Sequence, residues 1–357
     1  MNSFAPLTPI HKIRPSFALL VSATLLLSAC ATQPAQGQAA PAPTDPVQTA
    51  PGQAVPATLT PTRLVFSGVK TAVSPPQLFT LVNSGAQSLT VSAVTVTGPD
   101  AAAFTVGTPP ALPLTLEAGK TLTLALNFSP QGKVGVLKAS LNLETKTELS
   151  PLGAGGAPLS ADLSGLSTVG LEGENEPPLA QVVQALGYGT DVGGSQLVLG
   201  TSPSLLGQEV SAQLFRKSGA GPVTLTPVAR YSPAGPLEFG LFTLRGGTPD
   251  AHALGEIEAQ QYQTLNPAFQ HGQTSFDPGS EPFGVYTGAT EYSKAADYTL
   301  DSLNKAFISH AMRVYPLSGL DSKALPAYLI ATEASSNGDY QDAVFVLSGA
   351  EPAPPRP

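Results

Sequence analysis

The sequence predicts a mainly β protein of two β-sandwich domains: an immunoglobulin-like module, then a larger jelly-roll-like sandwich with one or two short helices. Three observations predict it. Apolar residues recur with a period of two from about Thr62 to Thr168, and turn residues punctuate these runs at short intervals. Gly and Pro number 35 and 36 in 357 residues while charged residues are only 12%, a balance that suits a β-rich extracellular protein better than a helical one. The length allows two domains of ordinary size.

The chain opens with His11, Lys12 and Arg14, then the apolar run from Phe17 to Leu27. This is the layout of an export signal, and the run is too short to span a bilayer as a helix. Directly behind it stands Leu27-Ser28-Ala29-Cys30, which holds the only cysteine of the chain. The tetrad resembles the lipobox of bacterial lipoproteins. That resemblance implies removal of residues 1–29, a diacylglyceryl thioether on Cys30, and an acylated (palmitate-type) new amino terminus. Two or three acyl chains anchor stably where one is marginal. The blander alternative is a secreted protein with one stray cysteine. The expected location is therefore extracytoplasmic, lipid-anchored in a bacterial cell envelope. Ala31 and Thr32 lack the Asp associated with inner-membrane retention, which points to the outer membrane if the organism has one.

Removing residues 1–29 takes away Lys12 and Arg14, leaving 17 − 2 = 15 basic against 25 acidic residues. A net charge near −10 argues against a nucleic-acid ligand, which needs concentrated Lys and Arg. With Cys30 lipidated no disulfide is available, so packed cores or bound ions must supply stability. Residues 30–60 read as the lipidated cysteine and an Ala/Pro-rich disordered linker that holds the globular part off the lipid surface.

The immunoglobulin-like module is expected over 61–168. Leu122, Leu124, Leu126 and Phe128 alternate with Thr121, Thr123, Ala125 and Asn127, and Leu137, Ala139, Leu141 and Leu143 do the same with polar partners. Further strands are predicted at Arg63–Ser67, Gln77–Val82, Leu89–Thr97 and Leu159–Leu163. Asn83-Ser84-Gly85, Gly98-Pro99-Asp100, Glu117–Lys120 and Ser129–Gly132 mark turns. The order of phrases resembles Hydin-like, choice-of-anchor D immunoglobulin-type modules of bacterial surface proteins. The matching pieces are Leu64-Val65-Phe66, Phe79–Gly85, Phe104-Thr105-Val106, Leu126–Pro130 and Ala161–Gly165. That resemblance implies a spacer or docking sandwich without catalytic residues.

The C-terminal sandwich is expected over 169–350, with a disordered tail over 351–357. After Glu172, Glu174 and Glu176 comes Pro177-Pro178, then Leu179, Val182, Val183 and Leu186 at i, i+3, i+4 and i+7. This is one face of a short helix, stopped by Gly187. Strands are predicted near Gln196–Leu199, Val223–Tyr231, Glu238–Thr243, Gly284–Thr287, Met312–Pro316, Ala327–Glu333 and Asp342–Leu347. Residues 246–275 read as a long loop and Leu300–Phe307 as a second helix. The close of this region, Tyr328–Glu333 followed by Asn337-Gly338-Asp339-Tyr340-Gln341-Asp342-Ala343-Val344-Phe345, resembles a class of bacterial extracellular β-sandwich domains. There a D-Y-N/Q-D motif introduces the last V-F strand. The phrases Glu174–Leu179, Gly221–Leu225, Phe239–Phe242, Pro282–Tyr286 and Arg313–Leu317 agree in order. The resemblance implies an envelope location and pairing with an immunoglobulin-type module, and names no activity.

Glu333, Asp339 and Asp342 flank one predicted turn, so their carboxylates can converge on a hard cation of the Ca²⁺ type. Plain turn chemistry is the alternative for Asn337-Gly338 and its acids. No motif requires a cofactor, and structural Ca²⁺ is the one ion suggested. The run Glu172, Glu174, Glu176 reads as a solvated cap and not a pair for glycoside hydrolysis. His252, His271 and His310 lie far apart in no ligand spacing, and no nucleophile elbow or phosphate loop occurs. A non-enzymatic interaction or structural role is expected, with a protein or polysaccharide partner in the envelope. All nine Tyr lie in the second domain. Tyr262, Tyr286, Tyr292 and Tyr298 are candidates for stacking on sugars if it is a carbohydrate-binding module, Tyr286 and Tyr292 foremost, although the chain has no Trp.

Overall fold

A computed structural model describes residues 57–147, 159–197, 199, 204–305, 307–318 and 326–353. Residues 1–56, which hold Cys30, the expected leader and most of the expected linker, lie outside the described residues, as do 354–357. Among the described residues no helix is long and apolar enough to cross a membrane.

The first sandwich comprises β1 (Ala57–Thr60), β2 (Arg63–Val69), β3 (Gln77–Asn83), β4 (Leu89–Thr97), β5 (Phe104–Val106), β6 (Leu114–Leu116), β7 (Thr121–Phe128), β8 (Gly135–Thr147) and β9 (Leu159–Thr168). One sheet runs β1-β3-β7-β5 and the other β2-β9-β8-β4-β6. All pairings are antiparallel except β2 with β9, in parallel register from Arg63↔Asp162 to Val69↔Thr168. Residues 57–60, expected in the linker, instead form a strand, because Ala57 and Leu59 bury against β3 in a run too short to stand out by periodicity.

Between the sheets the rings of Phe66, Phe104 and Phe128 cluster with centroids 5.2 to 6.0 Å apart. Gly165 in β9 lies directly beneath Phe128: a Cβ there would stand 2.2 Å from a ring carbon. Aromatic ring and bare backbone are thus matched. Gly165→Ala is expected to lower stability by about 1–3 kcal/mol through overpacking, seen as a lower urea midpoint.

A helix, α1 (Leu179–Leu186), leads into the second sandwich. Its strands are β10 (Phe215–Lys217), β11 (Val223–Tyr231), β12 (Leu237–Arg245), β13 (Thr248–Ile257), β14 (Gln263–Leu265), β15 (Phe269–Gln270), β16 (Ser275–Phe276), β17 (Gly284–Thr287), β18 (Asp297–Tyr298), β19 (Met312–Pro316), β20 (Ala327–Thr332), β21 (Ala343–Ser348) and β22 (Ala350–Pro352). One sheet runs β14-β11-β21-β20-β19, with β16 also on β11, and the facing sheet runs β15-β13-β12-β17-β18. The chain crosses repeatedly between these layers from β11 to β17, then closes with the meander β19-β20-β21. Phe239, Phe345, Phe283 and Leu347 fill the space between the layers.

Four local expectations are corrected. Residues 246–275 hold β13, which pairs with β12 from Leu237↔Ile257 to Arg245↔Thr248. Gly246 and Gly247, at φ 59° and 83°, make the tight left-handed turn that such a hairpin favours. Thr248 and the Ala251–Ala253 stretch are exposed, so the alternation that marks a strand was missing there. No strand forms among the described residues of 196–199, where Leu197 instead bonds its N–H to the Gly338 carbonyl at 2.7 Å. The helix expected over 300–307 is a single 3₁₀ turn, Asp301–Leu303. Asn304 ends it by accepting from the Tyr298 N–H and donating to the carbonyls of Tyr298 and Ser309. Residues 351 and 352, expected in the tail, belong to a strand: Ala350–Pro352 pairs with β10 and Ala350 is fully buried.

The two sandwiches meet through a shared apolar layer. Leu179, Val182, Val183 and Leu186 of α1 pack with Leu166 of β9 and with Ala229, Leu329 and Val344 on the outer face of the larger sheet. Arg63 of β2 donates to the Leu186 carbonyl at 2.9 Å, a cation at the helix C-terminus. Ser67 of β2 receives the Leu265 N–H and contacts the Thr264 hydroxyl, both at 3.1 Å.

Candidate functional site

Ten residues, 333–342, join β20 to β21 and fold back on themselves. Gly338 sits at φ 81°, and a Cβ there would meet the Leu197 carbonyl oxygen at 2.5 Å. Tyr340 also has positive φ, 51°. It is held by its N–H to Glu333 Oε2 at 3.2 Å, its hydroxyl to the His310 carbonyl at 2.8 Å, and the Arg313 guanidinium 4.7 Å from its ring centroid. The result brings together Glu333, Asp339 and Asp342, each offering one oxygen within 4.8 Å of the others. A fourth carboxylate comes from the connector before α1, where Glu176 accepts from Gln263 Nε2 and from Gln341 Nε2.

Burial dominates the electrostatics here. It raises Glu333, against the pull of backbone N–H groups from Tyr340, Asn337, Gly338 and Ser335. Asp339 is pushed up to about 7 by burial and by the charges of Glu333 and Glu176. Burial and the charges of Glu333 and Asp339 hold Asp342 well above its ordinary value. Burial takes Glu176 to about 7 despite its two glutamine donors. Burial also lowers Arg230 to about 10, opposed by the charge of Asp342.

Beside this cluster lies a cavity of about 640 Å³, lined among others by Arg230, Asp297, Thr332, Asp342 and Tyr292. Arg230 and Asp297 are 1% and 2% exposed, yet Arg230 Nη1 and Asp297 Oδ1 have no hydrogen-bond partner. Both are buried polar atoms with capacity to spare, which is costly unless a ligand or water engages them.

The two tyrosines part ways. Tyr286 is buried, donates its hydroxyl to Glu238 Oε1 at 2.8 Å and stacks on Tyr298 at 6.1 Å. Its ring is strand packing and offers no platform, which corrects the sequence expectation. Tyr292 is half exposed on the cavity wall, 5.4 Å from the Phe307 ring. His252 and His271 are exposed.

His310 belongs to a buried network that the sequence did not reveal. Its Nε2 faces Glu209 Oε1 at 2.8 Å and its Nδ1 faces Asp301 Oδ1 at 3.0 Å, while Glu209 Oε2 also accepts from Arg313 Nη1. Burial alone would lower the His310 pKa, but the hydrogen bonds and charges of Asp301 and Glu209 outweigh it and leave it raised. A raised cationic group stabilises fully below its unfolded pKa, here about 6.5, and loses that contribution as pH climbs through the folded value. The thermal midpoint should therefore fall on going from about pH 6 to more alkaline buffer. Glu176 and Asp339 push in the same direction. The difference between wild type and His310→Gln isolates the histidine, and identical pH profiles would refute its role.

Sequence reasoning missed Glu176, which it placed on a solvated cap, together with Glu209, Arg230, Asp297 and Gln341. A usable signal existed for two of them. Arg230 stands inside the apolar strand Val228-Ala229-Arg230-Tyr231, and Gln341 lies inside the D-Y-Q-D motif.

No family model and no curated protein matches the chain. Among solved structures it is similar to the ASH / PapD-like domain 7 of human CEP192, at 19% identity over 33% of this chain and 87% of that one, with a TM-score of 0.25. It is also similar to the YadV chaperone, at 12% identity over 68% and 96% with a TM-score of 0.26. For the periplasmic chaperone SfaE the values are 10%, 68%, 96% and 0.27. The β-sandwich assignment stands on the strand pairing described above.

Proposed function

We propose that the chain is a lipid-anchored protein of the bacterial cell envelope that works by binding, with the immunoglobulin-like sandwich as base and the larger sandwich as the displayed domain. The junction supports this reading. α1, Arg63 and Ser67 join the two sandwiches in one apolar layer, so any surface on the second is held at a fixed attitude to β1, where the chain arrives from Cys30. A protein or polysaccharide of the envelope is the partner class. The test is fractionation of cells grown with a palmitate analogue. Wild type should be labelled and sediment with membranes, and Cys30→Ser should be unlabelled and soluble. An unlabelled, soluble wild type would refute the reading.

A second reading, carbohydrate binding, is favoured by the cavity. Sugar hydroxyls both donate and accept, matching Asp297 Oδ1 and Arg230 Nη1, and a sugar C–H face can pack on Tyr292. The soluble Cys30→Ser protein should then bind on a glycan array and lose the signal in Tyr292→Ala. A folded protein that binds no glycan discards this reading.

A further inference from the structure

We propose that Glu333, Asp339, Asp342 and the side-chain oxygen of Gln341 bind one divalent cation of the Ca²⁺ type, which ties the β20–β21 loop to the connector carrying Glu176. The inference is independent of the envelope reading. Ca²⁺ takes oxygens at about 2.3–2.6 Å, so ligands on opposite sides of it lie up to about 5 Å apart. The three carboxylate oxygens, within 4.8 Å of one another, fit that span.

One oxygen of each carboxylate is held by a protein donor. Glu333 Oε2 takes the N–H groups of Gly338 at 3.0 Å and Tyr340 at 3.2 Å. Asp339 Oδ2 takes Asn337 Nδ2 and Gln341 Nε2, each at 2.7 Å, and Asp342 Oδ2 takes the Ala334 N–H at 2.7 Å. Outer donors that orient one oxygen while leaving another available are how proteins aim metal ligands.

The independent observation is Gln341. Its amide is fully buried against the cluster: Nε2 bonds both Asp339 and Glu176, and Oε1, on the same amide, has no partner. Glu333 Oε1 and Asp339 Oδ1 are likewise buried without partners. An amide oxygen and carboxylates, with no His or Cys among them, select a hard cation. Glu176 stands one hydrogen bond behind, through Gln341, and reaches β14 through Gln263. A bound ion would therefore brace the connector between the sandwiches.

The test uses the mature Cys30→Ser chain, stripped with chelator and titrated with Tb³⁺. The protein has no Trp, so emission must be sensitised by tyrosine, and Tyr340 adjoins the ligands. Sensitised emission is expected, displaced by Ca²⁺ and not by equal Mg²⁺, with a higher thermal midpoint in Ca²⁺. Asp339→Asn should weaken binding about tenfold or more, while Glu174→Gln, at an exposed position, should not. No emission from folded wild type overturns the site, as does wild-type affinity in both Asp339→Asn and Asp342→Asn. Displacement by Mg²⁺ as readily as by Ca²⁺ overturns the Ca²⁺ assignment.

Discussion

Arg313→Met is expected to destabilise the protein by about 3–5 kcal/mol, the cost of removing one partner of a buried ion pair. The Arg313 and Glu209 side chains are both fully buried, and Arg313 Nη1 donates to Glu209 Oε2. Methionine fills much of the same volume, so the loss is electrostatic more than steric. It leaves a carboxylate in a low-dielectric interior and strips the cation from the face of Tyr340, 4.7 Å away. His310 still faces Glu209 at 2.8 Å and supplies partial compensation while protonated. The penalty should therefore grow as the buffer is made more alkaline. Arg313→Lys keeps the charge but loses the planar fork, and should fall between wild type and methionine. Urea denaturation with unchanged slope measures all three. A methionine variant within about 1 kcal/mol of wild type would show that Glu209 does not depend on this cation.

How legible such features were depends on whether a residue's role is written in its neighbours along the chain. β4, β11, β17 and β19 match their predicted limits because each alternates or runs apolar over its whole length. β13 is not marked by its own residues because Thr248 and Ala251–Ala253 are exposed, and Gly246-Gly247 is the hint of its hairpin. Helix α1 was readable from Leu179, Val182, Val183 and Leu186, but their period says only that one face is buried. It does not say that Leu166 of the other sandwich covers part of it. The site divides in the same way. Glu333, Asp339 and Asp342 lie within ten residues, so one turn brings them together. Glu176 comes from more than 150 residues upstream and Arg230 from more than 100. Only the completed stack of sheets sets them beside the loop. The Glu209–His310–Arg313 network is likewise a product of long-range packing.

Val182→Asp is expected to uncouple the sandwiches. Val182 is fully buried in the layer formed by α1, Leu166 and the outer face of the larger sheet. At the helix C-terminus Arg63 is already engaged with the Leu186 carbonyl. An unpaired carboxylate held in that layer would cost several kcal/mol. Eight residues of helix have little stability of their own in water and depend on packing. α1 should therefore leave the layer before it accepts the charge, taking the Arg63 contact with it. Each sandwich keeps a separate core, one around Phe66, Phe104 and Phe128 and the other around Phe239 and Phe345. Calorimetry should then resolve two transitions where wild type is expected to give one, and the connector around 169–178 should become protease-sensitive. Gln184→Glu adds an acid to the same helix at an exposed position and should leave the single transition in place. One transition at the wild-type midpoint in Val182→Asp would mean that the sandwiches are not coupled through α1, and a fixed attitude of the displayed domain would lose its physical basis.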